Sequence, residues 1–491
     1  MKQRFKRFLL VVPPFYGPNV GSRSVVGVGA GYLMEYLHEK GIDYQFLDMR
    51  LEENGKEEEL FKKIRGYKPD LVGFQIMTYR KDIAFSLIKK VKENFDVKII
   101  AGGPHVSSER KIALEECPSI DFGVKIEGEE TLYEIIKGVA FKDIKGLIYR
   151  NEKSRAIIEN EDRPFIKDLD SLPFPTFRDF DLKKYDPVIP IISSRGCPYG
   201  CIFCTIKLTM GRAFRARSPE NLLKEIKYWH EKGYRNFQIL DDNFTLLPER
   251  VIKFCELVNK HYKNLSFALP NGIRADKVTK ELLLKLKETG FSMMAIAVES
   301  ANNKVLKAVK KGETLEQIDE AVRLATGVGF DVELFFIIGN PSETEEDVRN
   351  SFKMALKYPV AEAKFYNMIP FRHTELYSWI EQDKDARFNK NHEKMLVFHE
   401  HLSNEPFFET KELSFEKRRK LLGEAQKIRT RILKRNMARK FSKLGIFGRV
   451  FADIFYFKPV HRLVEAAYQK RGSRRAIQKL MKLFRIKVRN F

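Results

Sequence analysis

The chain has 491 residues, 43% of them hydrophobic, and a formal net charge of +23. That length exceeds one ordinary core, so two or three domains are expected. Five cysteines are too few for a disulfide framework in a chain this size, and no apolar run approaches the roughly 18 residues of a membrane span. The charge is uneven: residues 411–491 hold 25 Lys and Arg against 5 Asp and Glu, +20 of the total. A nearly neutral body is followed by a strongly basic segment.

The basic start, with an apolar run of only about five residues, suits a first buried strand better than a signal peptide, so the cytoplasm is expected. Short apolar strands at 9–12, 44–47, 71–75, 98–101 and 122–126 alternate with helical stretches; Ile83, Leu87 and Val91 recur every four residues on one helical face. Strands that are apolar throughout predict a doubly wound parallel sheet, covered on both faces, over residues 1–145. Ligands of such sheets bind beyond the carboxyl ends of the strands. Those ends carry Pro13-Pro14-Phe15, the run from Gln75 to Thr78, Gly102-Gly103-Pro104-His105 and Glu127-Gly128-Glu129. Residues 146–190, with Pro164, Pro173, Pro175, Pro187 and Pro190, read as a linker wrapping between domains.

From residue 191 the alternation resumes, with strands expected at 191–193, 236–240, 265–268, 293–298, 332–338 and 364–368. A helix is expected at 219–230, capped by Ser218 with Pro219 in its first turn. Six strand–helix units over 191–375 predict an open partial barrel rather than the closed eight-stranded form. Beyond about 376 strand signals stop, and 376–491 reads as helical and basic. Overall the fold class is α/β.

Chemistry concentrates in Arg195-Gly196-Cys197-Pro198-Tyr199-Gly200-Cys201-Ile202-Phe203-Cys204, directly after the first barrel strand. Three thiolates in one loop can hold three irons of a 4Fe–4S cubane, leaving the fourth iron open. Zinc is the poorer alternative, since no nearby His or second Cys pair completes a site. Cys117 and Cys255 stand apart and are expected to be small buried hydrophobes.

This three-cysteine spacing, with Phe203 before the third cysteine, resembles the radical S-adenosylmethionine (SAM) superfamily. So do Gly211 to Glu220, Asp241-Asp242-Asn243-Phe244, Ala297-Val298-Glu299-Ser300 and Ile338-Gly339-Asn340-Pro341-Ser342-Glu343. The resemblance implies that SAM chelates the open iron and is reductively cleaved to a 5′-deoxyadenosyl radical, with electrons from a low-potential donor. It further implies Asp241, Asp242 and Asn243 at the methionyl amine, Arg274 and Glu299 at the ribose or carboxylate, and Phe203 and Gly339 beside adenine. The plainer alternatives are a helix cap for Asp241-Asp242 and a structural ion pair for Arg274 and Glu299. Individual catalytic residues are not assigned.

A parallel sheet ahead of such a barrel resembles the cobalamin-binding subclass of this superfamily. The resemblance implies a corrin held by Thr78, Gly102, Gly103, His105, Glu127 and Gly128. The Asp-x-His-x-x-Gly motif that supplies an axial histidine in other cobalamin proteins is absent. A turn histidine at 105 is expected in water more than on cobalt. The methylthiotransferase alternative requires three N-terminal cysteines, and only Cys117 is there. Enzymes of this subclass methylate unactivated carbons; radical ring closure is the runner-up, and an iron–sulfur sensor or scaffold is the non-enzyme reading.

In the basic segment Leu444, Phe447, Val450, Phe451, Ile454 and Phe455 form an apolar stripe flanked by Lys443, Arg449 and Lys458. A second stretch runs from Arg474 to Arg485. Such helices can lie on an anionic membrane surface, which would suit a lipid substrate, or pack against the barrel with their cations solvated. Nucleic acid is disfavoured, since no RNA-binding motif is present. Tyr366, Arg372 and His373, near the last strand's end, are expected to line a substrate channel for a small-molecule or lipid substrate.

Overall fold

The computed structural model describes residues 3–14, 25–51, 57–393, 404–442, 450 and 453–456. Its first sheet contains β1 (Phe8–Val12), β2 (Tyr44–Asp48), β3 (Leu71–Gln75), β4 (Lys98–Gly102), β5 (Phe122–Val124), β6 (Leu147–Arg150) and β7 (Ile157–Glu159). The order is β2-β1-β3-β4-β5-β6-β7. β1 to β5 pair in parallel, while β6 and β7 extend the edge antiparallel. The apolar run of β1 is explained by burial on both faces: Phe8, Leu10 and Val12 enter one core cluster, Leu9 and Val11 another.

Residues 146–190 therefore begin as part of this sheet. The remainder is pinned to both halves of the molecule. Thr176 and Tyr185 donate to Glu35 and Asp48 of the first sheet's layer, and Asp170 accepts the Ser218 amide.

The second sheet contains β8 (Ile189–Ile191), β11 (Asn236–Ile239), β12 (Ser266–Ile273), β13 (Phe291–Glu299), β14 (Asp331–Ile338) and β15 (Glu362–Asn367) in order β15-β14-β13-β12-β11-β8. All pairings are parallel. The sheet is the expected six-stranded open barrel. Between its first two strands lies a short antiparallel ribbon, β9 (Ser194–Arg195) with β10 (Arg215–Ala216). The helix Pro219–Glu231 starts at Ser218, whose side chain accepts the Asn221 amide.

Past residue 376 the expectation of helix alone needs correcting. β16 (Arg387–Phe388) and β17 (Phe408–Glu409) form a second ribbon, each too short to show an alternating pattern. The helix Phe415–Lys440 lies along the open β15 edge. It buries Leu421, Leu422, Ala425 and Ile432 in the main core, and its Arg429 pairs with Glu362 at 2.6 Å. Lys440 reaches Asp331 at 3.0 Å, and Arg435 and Arg439 donate to backbone carbonyls of residues 356–359. This helix, which precedes the amphipathic stripe, packs against the barrel. Of the apolar stripe beyond, Val450 and Ile454 are exposed and Phe455 is buried. Leu444, Phe447, Phe451, Lys443, Arg449, Lys458 and the stretch from Arg474 to Arg485 lie outside the described residues. Among the described residues no helix is long and apolar enough to cross a membrane.

Candidate active site

The cysteine loop is set by the strand that delivers it. Asp241, just beyond β11, accepts the Ser193 amide and the hydroxyls of Ser193 and Ser194 at 2.5–2.6 Å. It fixes the approach to the loop and caps no helix. Gly196 has φ of 83°, and a Cβ there would stand 2.4 Å from the Ala213 carbonyl oxygen, so glycine is required. The loop's far side is tied down twice: the Ile202 amide donates to Val309 at 3.2 Å, and the Leu376 amide donates to Ile202 at 3.0 Å. Ile202 is buried beside Val309, Leu376, Phe407 and Phe408, with Phe203 packed on the same cluster. Phe203 thus anchors the loop to the segment beyond the barrel.

Cys197, Cys201 and Cys204 are partly exposed, whereas Cys117 and Cys255 are buried. Burial raises the Cys197 and Cys201 thiols and pushes Cys204 up to about 12. A metal displaces such protons on coordination. Among the described residues no three His, Cys, Asp or Glu side chains converge as around a single ion. The thiols act on one another electrostatically from one loop. A cubane binds its thiolates through separate irons, so that looser arrangement suits it.

Beneath the loop lies a buried charge network. The Arg274 guanidinium stacks 3.3 Å from the Tyr199 ring centroid. It donates to the carbonyls of Lys311 and Gly312 at 2.6 and 3.1 Å and to Asp276 at 3.1 Å. Arg274 and Glu299 do not pair with each other: Glu299, at φ 64°, takes the Lys311 ammonium at 3.1 Å, and Glu313 lies 3.4 Å from the same nitrogen. Burial opposes the charge on Lys311, yet Glu299 and Glu313 outweigh it and raise that pKa. Lys311 and Glu313 escaped the sequence reading, since nothing local marks them; Arg195 stands two residues before Cys197 and could have been taken from that adjacency.

The barrel mouth carries polar atoms without partners. Both amide atoms of Asn243, Ser300 Oγ, Asn340 Oδ1 and Asn367 Oδ1 are buried and unbonded. They sit at the carboxyl ends of β11, β13, β14 and β15. Unsatisfied buried polar groups are costly, and a polar ligand held at the mouth would give them partners.

A cavity of about 490 Å³ lies between this mouth and the first sheet. One wall is Gly29, Tyr32, Gly73, Gly102, Gly103 and Gly128; the other includes Ser194, Arg195, Thr205 and Asp242. A Cβ added at Gly102 would meet nothing nearer than 3.9 Å, and at Gly29 nothing nearer than 3.7 Å. At these two positions the wall is open, whereas a Cβ at Gly73 or Gly103 would stand 2.7 Å from Phe8 or 2.9 Å from the Ile76 carbonyl oxygen. Glu127 lines the cavity while accepting Arg195 at 2.8 Å, Arg215 at 2.7 Å and the Ile166 amide at 2.7 Å. Asp242 is pushed up to about 6 by burial and by Asp241 beside it.

Thr78 and His105 do not line this cavity. The expectation of a water-exposed His105 is corrected: its turn continues into the helix Pro104–Glu109. The ring is 1% exposed and bonded to Glu116 at 3.1 Å. Arg372 and His373 face the first sheet's layer, 3.3 Å from Glu116 and 3.7 Å from Glu109 respectively. Tyr366 sits on β15 with its ring 5.6 Å from Phe335, on the face away from the core cluster that holds Phe365.

Comparison with known proteins follows the same division. The Radical SAM superfamily family matches residues 191–355, and the B12 binding domain family matches residues 23–136. An uncharacterized methyltransferase of Pyrococcus horikoshii is 30% identical over 76% of this chain and 83% of its own length. The anaerobic magnesium-protoporphyrin IX monomethyl ester cyclase of Cereibacter sphaeroides is 28% identical over 76% of this chain and 63% of its own length. The fold is shared with the cobalamin-dependent S-adenosylmethionine radical enzyme OxsB, solved with aqua-cobalamin and SAM, at a TM-score of 0.70 and 18% identity over 98% of this chain and 76% of that one. The chain belongs to the cobalamin-binding subclass of the radical SAM superfamily and is an enzyme of 4Fe–4S cluster, SAM and cobalamin.

Proposed function

We propose that the protein methylates an unactivated carbon of a small molecule bound between the cavity and the barrel mouth. The observation that carries this reading is the shared wall: residues of the first sheet's glycine-lined face and of the cysteine loop's own strand, Ser194 and Arg195, line one cavity. When bound, the cluster and SAM supply a hydrogen-abstracting radical and the corrin supplies the methyl group. The protein's part is to orient. Cys197, Cys201 and Cys204 hold the cluster. Asp242 and Asn243 face the methionyl amine, Glu299 with Lys311 faces the ribose and carboxylate, and the Gly339 turn receives adenine. Arg274, its donors already committed, and Phe203 hold the cysteine loop in place. Gly102, Gly103, Gly128 and Glu127 form the corrin cradle, without Thr78 or His105.

Ring closure is the second reading, favoured by the cyclase relative. Anaerobically reconstituted protein, given cobalamin, SAM, a low-potential reductant and candidate substrates, separates the two. 5′-Deoxyadenosine together with S-adenosylhomocysteine supports methylation; 5′-deoxyadenosine without S-adenosylhomocysteine overturns it in favour of closure.

The finer reading, a lipid substrate taken from an anionic membrane surface, rests on the basic amphipathic sequence of residues 443–485. Liposome flotation should compare the full chain with one ending after residue 442, because the helix Phe415–Lys440 is part of the core. Equal flotation of the two would remove the interfacial reading.

A further inference from the structure

Arg418 is the most unusual buried group in the described structure. Its side chain is fully buried, and neither Nε, Nη1 nor Nη2 has a hydrogen-bond partner. The guanidinium is wedged between the Phe408 ring, 4.1 Å away, and Gly339. A Cβ on Gly339 would stand 2.5 Å from Nη1 and 2.6 Å from Cζ. With φ of 104° as well, only glycine fits there. The backbone carrying Arg418 is fixed: it lies in the first turn of the helix Phe415–Lys440, where its amide donates to Ser414 at 2.9 Å.

A buried cation without hydrogen bonds costs several kcal/mol unless opposite charge faces it. Glu343 and Glu409 supply that charge. Glu343 is itself fully engaged with the turn after β14. It accepts the amides of Gly339 and Asn340 at 2.7 and 3.1 Å and the Asn340 side chain at 3.0 Å. Burial pushes the Glu343 carboxyl up to about 7, and the Arg418 charge works against that. A carboxylate accepts these three donors better than a carboxylic acid does.

We propose that Arg418, delivered from outside the barrel by the C-terminal helix, is a positioning residue for SAM: its guanidinium packs on Gly339 and its charge faces Glu343, and together the two side chains fix the Gly339–Asn340 turn that receives adenine. This rests on the reading of the SAM site given above. The C-terminal basic segment thereby enters the active site, through one side chain that touches neither cluster nor cofactor.

The test uses full-length reconstituted protein and a coupling cycle. SAM dissociation constants are measured by equilibrium dialysis for the wild type, R418M, R418K, E343Q and the R418M/E343Q double variant, with iron content measured alongside. L422A, which loosens the same helix, is the control for plain destabilisation. The wild-type isotherm tests the SAM site itself. R418M is expected to weaken SAM binding by about tenfold at unchanged iron content, R418K to recover most of it, and L422A to leave it unchanged. The double variant is expected to bind no more weakly than E343Q. Wild-type affinity in R418M, or effects of R418M and E343Q that multiply, would overturn the proposal. A wild type that binds no SAM overturns the site reading and the proposal with it.

Discussion

Arg195 Nη1 meets Glu127 Oε1 at 2.8 Å across the seam between the two sheets, with both side chains buried. The contact joins the strand feeding the cysteine loop to the wall of the cavity proposed to hold the corrin. Glu129 takes the second guanidinium nitrogen at 2.8 Å, and Arg215 shares Glu127. The two domains are therefore registered by charge at the point where their ligands must meet. On the proposed function, a mismatch of an ångström there would separate the radical source from the methyl donor.

Removing one partner of such a cluster leaves buried charge uncompensated. We expect E127A to destabilise the protein by about 3–5 kcal/mol, well beyond the cost of a surface pair. Urea unfolding of the full chain reads this directly. A change under 1 kcal/mol would mean that water replaces the carboxylate and that the seam is wet.

The corrin cradle makes a sharper prediction, because it can be filled without disturbing the fold. Gly102 leaves open space around a would-be Cβ. G102V should therefore fold and keep its iron, while cobalamin retention through gel filtration falls by at least about tenfold. Undiminished corrin in G102V would put the binding face elsewhere.

Much of this arrangement was readable from sequence wherever the signal was local. The unbroken apolar β1, the capped helix at Ser218 and the cysteine spacing each depend on near neighbours, and each appeared where expected. What stayed hidden depends on distant partners. Arg195 finds Glu127 at 68 residues' separation, and Arg418 meets Gly339 from a helix that composition alone marks as basic and solvated. The alternative that pairs Arg274 with Glu299 rests on charge alone, and it fails because Lys311, which nothing local marks, pairs with Glu299 instead. His105 looked like a loop residue because Gly-Gly-Pro reads as a turn, yet Pro104 opens a short helix that carries the ring inward.

Lys311 yields a redox prediction. It is the leading charge acting on Cys201, and it favours the more negative form of whatever that thiolate binds. Removing a nearby cation destabilises the reduced cluster more than the oxidised one, so the potential should move to more negative values in K311M and stay near wild type in K311R. A redox titration followed by electron paramagnetic resonance measures the shift. An unmoved potential in K311M at full iron content would confine Lys311 to its pairing with Glu299 and Glu313.

Glu343 gives the pH dependence. Burial, its leading influence, raises the carboxyl from the ordinary 4.5 to about 7 against the pull of its hydrogen-bond donors and Arg418. Between those values the folded chain keeps a proton that the unfolded chain has released. The group's stabilising share is thus complete below about pH 4.5 and is lost as the pH rises through about 7. The E343Q amide cannot titrate, so subtracting its pH profile from that of the wild type removes every other group. We expect the wild type to lose up to about 3 kcal/mol relative to E343Q between roughly pH 4.5 and 7.5. Urea midpoints for both proteins at the two ends of that range decide it. Parallel profiles would mean that Arg418 and the turn amides already hold Glu343 ionised at acid pH, placing its pKa near that of a free carboxylate.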